Sequence, residues 1–281
     1  IIDKKEKERL YGHIEGLVDY EYQTLERGEH TDDSELTLIL LEDILQERNF
    51  NIDTFAKKMG ELVQNIDLGI ELDRHFSLKT MIAMRKLSLK QSPVFSGNNS
   101  DTNGASIRVL PLAILASFDK ENNLKENIKN CSKMTHNNSI AIEGAYLTAI
   151  ATKYLLETTD FNTKDFLNFL NNKCEQIKLI EKINKVEELI EKDVSYEKAE
   201  KELGTTSKIL ETLPYALFCF LKSPSNYRQT IIGSINIEGD ADSIAAIAGS
   251  FSGALNGISA IPNEWLEEIN CKNRIEKLFN S

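Results

Sequence analysis

The chain has 281 residues, 41% apolar and 27% charged, and its 33 Lys and Arg against 44 Asp and Glu leave a formal net charge of −11. That is the composition of a globular protein with a sizeable core, and the acidic balance excludes the basic groove that nucleic-acid binding needs. An anionic ligand stays within reach, because backbone N–H groups and metal ions bind anions without Lys or Arg. The four cysteines, Cys131, Cys174, Cys219 and Cys271, stand far apart with no C-x-x-C pair. This argues against a zinc site, a thioredoxin motif and a disulfide framework, and fits the thiols of a cytoplasmic protein. No apolar run approaches the roughly 20 residues of a membrane span. The start, Ile1-Ile2-Asp3-Lys4-Lys5, has no Met, and the expectation is a fragment whose N-terminal segment is missing.

Helical periodicity dominates. After Thr31-Asp32-Asp33-Ser34-Glu35, apolar residues recur three and four apart at Leu36, Ile39, Leu40 and Ile44, which predicts a helix. Turn residues concentrate between Ser92 and Gly104, and a long polar loop in a helical domain is more often functional than idle. The nearly continuous apolar run Ile107 to Phe118 predicts one buried helix. Ile140 to Leu156 carries Ala141, Ala145, Ala149 and Ala151, small residues that permit close helix contacts. Glu143 on that helix reads as a solvated or helix-pairing carboxylate. Cys174 to Lys192 sets Ile177, Ile180, Ile183, Val186, Leu189 and Ile190 among Lys and Glu, an amphipathic pattern. Leu210 to Leu221 and Ile244 to Leu255 are two more apolar helices. Thr230 to Ile237 holds Ile231, Ile232, Ile235 and Ile237 but has no alternating partner strand and no hairpin turn. The expected fold is therefore all-α, a single compact orthogonal bundle of ten or more helices.

Two acidic clusters each precede an apolar helix. Thr31-Asp32-Asp33-Ser34-Glu35 has the form of a capping box, with Asp32 as cap and Glu35 three residues on. Gly239-Asp240-Ala241-Asp242-Ser243 places two carboxylates in a turn, where Asp242 or Ser243 also suits a cap. Each alone reads as a helix start. Together they supply four carboxylates and two hydroxyls, a hard oxygen set that suits Mg²⁺ or Mn²⁺ rather than zinc. Bridging carboxylates in such a set could hold two metals roughly 3.5–4 Å apart.

Four segments, in order, resemble the ADP-ribosylglycohydrolases, the group that includes dinitrogenase reductase-activating glycohydrolase. His30-Thr31-Asp32-Asp33-Ser34-Glu35-Leu36-Thr37-Leu38 is similar to W-T-D-D-T-x-M-x-L, and Asn103-Gly104-Ala105-Ser106-Ile107-Arg108-Val109-Leu110-Pro111-Leu112 is similar to N-G-A-x-M-R-x-x-P-L. Thr135-His136 before the Ala-rich helix and Gly239-Asp240-Ala241-Asp242-Ser243-Ile244-Ala245-Ala246 complete the set, running on to Ile261-Pro262 and Trp265. The resemblance covers almost the whole chain and implies one domain over 1–281. It implies two Mg²⁺ (or Mn²⁺) ions held by Thr31, Asp32, Asp33, Asp240, Asp242 and Ser243, with Asp242 placed to bridge; the family commonly has Thr at the place of Ser243.

The resemblance also implies an activity: hydrolysis of the glycosidic bond between C1′ of ADP-ribose and a protein side chain or small acceptor, through an oxocarbenium-like transition state. Expected partners are an ADP-ribosylated protein or a small ADP-ribose conjugate, with no membrane and no nucleic acid, and the chain acting as a monomer. Asn98, Ser100, Asn103, Gly104 and His136 are the expected substrate-binding residues. His30, before Thr31, is expected only to support its neighbours, and His75 to be a surface or internally satisfied residue. In the loop the family pattern is closer to S-x-G-N-G, whereas here Thr102 stands in place of glycine and Asp101 adds negative charge near the phosphate site that the resemblance implies. Thr tolerates positive φ poorly, so a different loop path is expected. The family's opening motif G-D-A-x-G-x-P-x-E has no counterpart, and Asp3 to Tyr20 resembles the stretch that follows it. The glutamate linked to catalysis is expected in a segment preceding Ile1. These departures motivate the alternative of a non-hydrolysing ADP-ribose or nucleotide binder. A helical scaffold with mere caps leaves the paired matches unexplained.

Overall fold

Alanine and glycine decide how closely the central helix is packed. Ser139–Glu157 carries Gly144 at a point where a Cβ would stand 2.1 Å from Ile209 Cγ1 of the helix Ile209–Lys222. One side of Ser139–Glu157 sends Leu147, Ile150, Ala151 and Leu155 into an apolar cluster with Phe166, Leu179, Phe218, Phe220 and Phe251. The other sends Ala145 and Ala149 into a second cluster with Leu40, Phe55, Met59, Met84 and Leu112. The same helix thus serves two neighbouring cores.

The protein is described as a computed structural model over residues 4–19, 25–118 and 123–279; Asp3 and Tyr20 lie outside them. Among the described residues there are seventeen α-helical segments and one short 3-10 turn, and no strand; pairing is confined to two isolated bridges. This is the all-α architecture expected. Local chemistry sets many of the helix starts: the side chains of Asn51, Ser77, Asn138, Asn162, Ser195 and Asn226 each accept from an N–H of the first turn. Thr230 to Ile235 lies within the helix Tyr227–Ile235, as the lack of a partner strand requires. No helix of the described residues is long and apolar enough to cross a membrane.

Three local expectations are corrected. The run Ile107 to Phe118 is two helices, Gly104–Arg108 and Leu110–Phe118, broken at Val109. Pro111 has no N–H to continue the ladder and disfavours α geometry at Leu110, so it sits in the first turn of a new helix. The amphipathic helix is Ile177–Glu191, and Cys174 instead ends the preceding helix Thr163–Lys173. Glu143 is buried, 7% exposed, and its Oε1 accepts from the Glu175 N–H at 2.6 Å.

Candidate functional site

The two acidic clusters meet. Thr31 is the N-cap of Asp32–Glu47 and Asp240 the N-cap of Ala241–Asn256, and neither side chain makes a capping hydrogen bond. The capping box does not form. Asp32 is the first helical residue rather than the cap. Glu35 points elsewhere, accepting two bonds from Arg274 Nη1 at 2.8 and 3.0 Å and facing His30 Nε2 at 2.7 Å. Ser243 Oγ donates to Asp33 Oδ2 at 3.0 Å, and Asn103 Nδ2 donates to Asp240 Oδ2 at 2.5 Å. The turn before Asp240 depends on Gly239, whose φ of +96° and closeness to the Thr205 carbonyl leave no room for a Cβ.

These groups border one cavity of about 880 Å³. Thr31, Asp32, Asp33, Asp240, Asp242 and Ser243 line it, and so do Ser100, Asn103, Gly104 and His136. Asn98 does not; it holds the loop, its Nδ2 donating to the Lys79 carbonyl at 3.1 Å while its backbone bridges to His136. Asp101 is also absent from the lining, and its carbonyl accepts from the Ile209 N–H. The loop path needs no positive φ at Thr102. That backbone pairs with Lys208, and Thr102 Oγ1 lies 2.8 Å from His136 Nε2. Both departures from the family pattern are thus accommodated without adding charge to the cavity.

A cationic side of the cavity adds to the residues expected from the sequence. Lys7, Lys79 and Arg108 line the same cavity, as does His75, an exposed residue held at φ +64°. Arg108 interrupts an apolar run, and that solitary charge was the signal available. Lys7 Nζ donates to the carbonyls of Ile235 and Ile237, fixing the helix Lys4–Tyr11 beside the second acidic turn.

Electrostatics mark the acidic wall as under-compensated. Burial first, then repulsion from Asp33 and Asp242, raises the Asp32 pKa above the carboxylate range. Burial also raises Asp33, with Asp242 and Asp240 adding to the rise and the Ser243 hydrogen bond opposing it. Asp240 is raised by burial and by Asp242, against the Asn103 bond. None of these four aspartates makes an ion pair with a described residue. Among the described residues no three His, Cys, Asp or Glu side chains are already arranged to hold a metal ion; Asp33 and Asp240 have taken the neutral partners Ser243 and Asn103. The donors are nevertheless all hard oxygens gathered in one place, the set a Mg²⁺ or Mn²⁺ ion accepts.

The sequence matches the ADP-ribosylglycohydrolase family over residues 2–281. An uncharacterized protein of Archaeoglobus fulgidus is 30% identical over 273 residues, covering 96% of this chain and 85% of that protein. ADP-ribosylhydrolase ARH3 of Mus musculus is 25% identical, covering 84% and 72%. ADP-ribosylarginine hydrolase Tri1 of Pseudomonas putida (strain GB-1) is 26% identical, covering 95% and 69%. A solved structure described as an ADP-ribosylglycohydrolase-related protein complex shares the fold, with a TM-score of 0.74 at 19% identity over 95% of this chain and 85% of that one. With a match that runs through both acidic turns and the loop between them, the chain belongs to the ADP-ribosylglycohydrolase family and is a hydrolase.

Proposed function

We propose that the protein hydrolyses the glycosidic bond between C1′ of ADP-ribose and a protein side chain or small acceptor, with two Mg²⁺ or Mn²⁺ ions as cofactors. One observation carries the reading: the acidic turns at Asp33 and Ser243, far apart in sequence, close one wall of a cavity whose other wall is the Ser100–Gly104 loop with His136, Lys79 and Arg108. One wall suits a divalent cation and the other an anion, the two things a nucleotide diphosphate sugar needs.

Thr31, Asp32, Asp33, Asp240, Asp242 and Ser243 would hold the metal ions. Their mutual repulsion supports this, since a divalent cation relieves it. When bound, the ions supply a grip on the ribose hydroxyls and a lowered pKa for a water. The chain's own residues do the placing. Ser100, Asn103 and Gly104 shape the loop against which the diphosphate rests, and Lys79 and Arg108 offset its charge. Asn103 also ties that loop to Asp240, so the two walls keep a fixed separation. In the reaction the C1′–acceptor bond breaks, the water oxygen bonds to C1′, and a water proton ends on the acceptor atom.

The test is release of ADP-ribose from arginine-linked and serine-linked peptides with Mg²⁺ or Mn²⁺ present and after chelation. Release that chelation abolishes supports the reading. Tight ADP-ribose binding with no release from any linkage would make the protein a binder. Undiminished release under chelation would remove the metals from the mechanism.

A further inference from the structure

Arg108 heads the wholly enclosed large side chains, with 1% of its surface exposed, and its Nε has no partner. No carboxylate of the described residues lies within ion-pair distance of it. A guanidinium stays protonated in a protein, and taking it out of water without a counter-ion is costly. Its contacts show what it does there. Nη2 donates to the Cys131 carbonyl at 3.0 Å and to Thr135 Oγ1 at 2.8 Å, which uses both protons of that nitrogen.

Thr135 Oγ1 is therefore an acceptor on one side. The other partner of this hydroxyl is His136 Nδ1 at 2.7 Å. The hydroxyl keeps one proton and one further lone pair; sending that proton to Nδ1 makes Nδ1 the acceptor and leaves the neutral ring protonated on Nε2. The ring is held neutral: burial, then the charges of Arg108 and Lys79, bring its pKa down to about 3. Nε2 faces Thr102 Oγ1 at 2.8 Å, and Thr102 Oγ1 faces Ser100 Oγ at 3.0 Å.

Counting protons shows the consequence. Nε2–H, the Thr102 hydroxyl and the Ser100 hydroxyl bring three protons to two contacts. One proton is left over, and Ser100 and Thr102 both border the cavity. With the ring reversed, the two hydroxyl protons are consumed within the chain of contacts and the wall offers only lone pairs. The direction of the chain thus decides whether this wall attracts or repels an anion.

We infer that Arg108 is a positioning residue which, through Thr135 and His136, orients the hydrogen-bond chain so that the Ser100–Thr102 pair presents a proton donor to an anionic group of the ligand. That the anion is a phosphate of ADP-ribose rests on the function proposed above. The direction of the chain does not.

Nitrogen-15 spectra of the His136 ring in the ligand-free protein read the direction. The expected result is an unprotonated Nδ1 and a protonated Nε2. Thr135→Val, which keeps the shape and deletes the donor, shifts the ring toward the Nδ1–H form, and Thr135→Ser restores it. Arg108→Met gives the same shift where it folds, and Thr135→Val keeps the test decisive where it does not. A wild-type ring protonated on Nδ1, or a ring unmoved in folded Thr135→Val, overturns the inference. Thr135→Val is also expected to weaken ADP-ribose binding about tenfold, the worth of a hydrogen bond to a charged group; unchanged affinity beside a shifted ring overturns the link to the ligand. A wild-type protein without affinity for ADP-ribose refutes the proposed function, while the ring spectrum still decides the direction of the chain.

Discussion

Ser243 Oγ and Asp33 Oδ2 meet at 3.0 Å although 210 positions separate them. Their contact closes the acidic wall, and it sets the first expectation. Asp33→Ala removes the carboxylate that Ser243 contacts, and Asp242→Ala removes the most exposed of the four. Each is expected to weaken Mg²⁺ or Mn²⁺ binding by more than the roughly 10–100-fold seen when a merely supporting partner is lost. Calorimetric titration of the purified variants checks it, and wild-type affinity in both would sink the metal assignment.

How much of this was legible in the sequence depends on how local each signal is. Asp32, Asp33, Asp240 and Asp242 were legible because two short clusters carry matching chemistry. Ser100, Asn103, Gly104 and His136 were legible from the motif, and they do line the cavity. Asn98 lies outside the lining, its amide used within the fold on Lys79. The capping-box reading of Asp32 and Glu35 failed because Glu35 finds stronger, charged partners on the distant helix Lys272–Phe279. The role of Thr102 was invisible because it depends on a hydroxyl reaching His136, 34 positions away. Tertiary partners of this kind leave no periodic trace.

The Glu35 cluster fixes the start of the helix that presents Asp32 and Asp33. Arg274 bonds both Glu35 and Glu42, and Arg74 Nε stands 3.4 Å from Glu35 Oε2. Arg274→Ala leaves a mostly buried carboxylate with fewer donors. The expected loss is about 2 kcal/mol of stability, the range for a hydrogen bond between charged groups. Urea unfolding monitored by circular dichroism measures it. A change below about 0.5 kcal/mol would show the cluster to be an ordinary surface ion pair.

Acid sensitivity follows from two groups with depressed pKa values. Burial opposes ionisation of Glu35, but the hydrogen bonds from His30 and Arg274 outweigh it and hold the pKa at about 2, below the ordinary 4.5. Its contribution is present above about pH 4.5 and is lost as pH falls toward 2. His136 lies at about 3 instead of 6.5, so the unfolded chain takes up a proton first. Stability then falls with pH from 6.5 downward, by up to about 1.4 kcal/mol per pH unit for one such group. In that window Asp32, Asp33 and Asp240, whose pKa values burial raises, take up protons in the folded state and slope the other way, so the His136 contribution is the difference between wild type and variant. His136→Gln is therefore expected to lose less stability than the wild type between pH 6.5 and 4.5, while the Glu35 loss below that range remains. A variant profile that still slopes as the wild type does would assign that contribution elsewhere.

Gly239 and Gly144 separate damage to the site from damage to the core. An alanine at Gly144 brings its Cβ to 2.1 Å from Ile209 Cγ1, a side-chain atom within an apolar core. Repacking around it is expected to destabilise by about 1–3 kcal/mol without moving the acidic turns. An alanine at Gly239 must hold φ near +96° and meets the Thr205 carbonyl oxygen at 2.3 Å. That contact is backbone on backbone, so no rotamer relieves it. The turn has to open, and the bond from the Asp240 N–H to the Thr205 carbonyl at 2.8 Å opens with it. Asp240 then leaves its place beside Asn103, and the acidic wall loses its geometry. Gly239→Ala is therefore expected to lower divalent-cation affinity at least tenfold, at a stability loss of about 1–2 kcal/mol from the left-handed backbone alone. Gly144→Ala is expected to melt earlier and still bind cation as the wild type does. Parallel melting curves and metal titrations of the two variants check the contrast, and equal cation affinity in both would show that the Gly239 turn does not position Asp240 for binding.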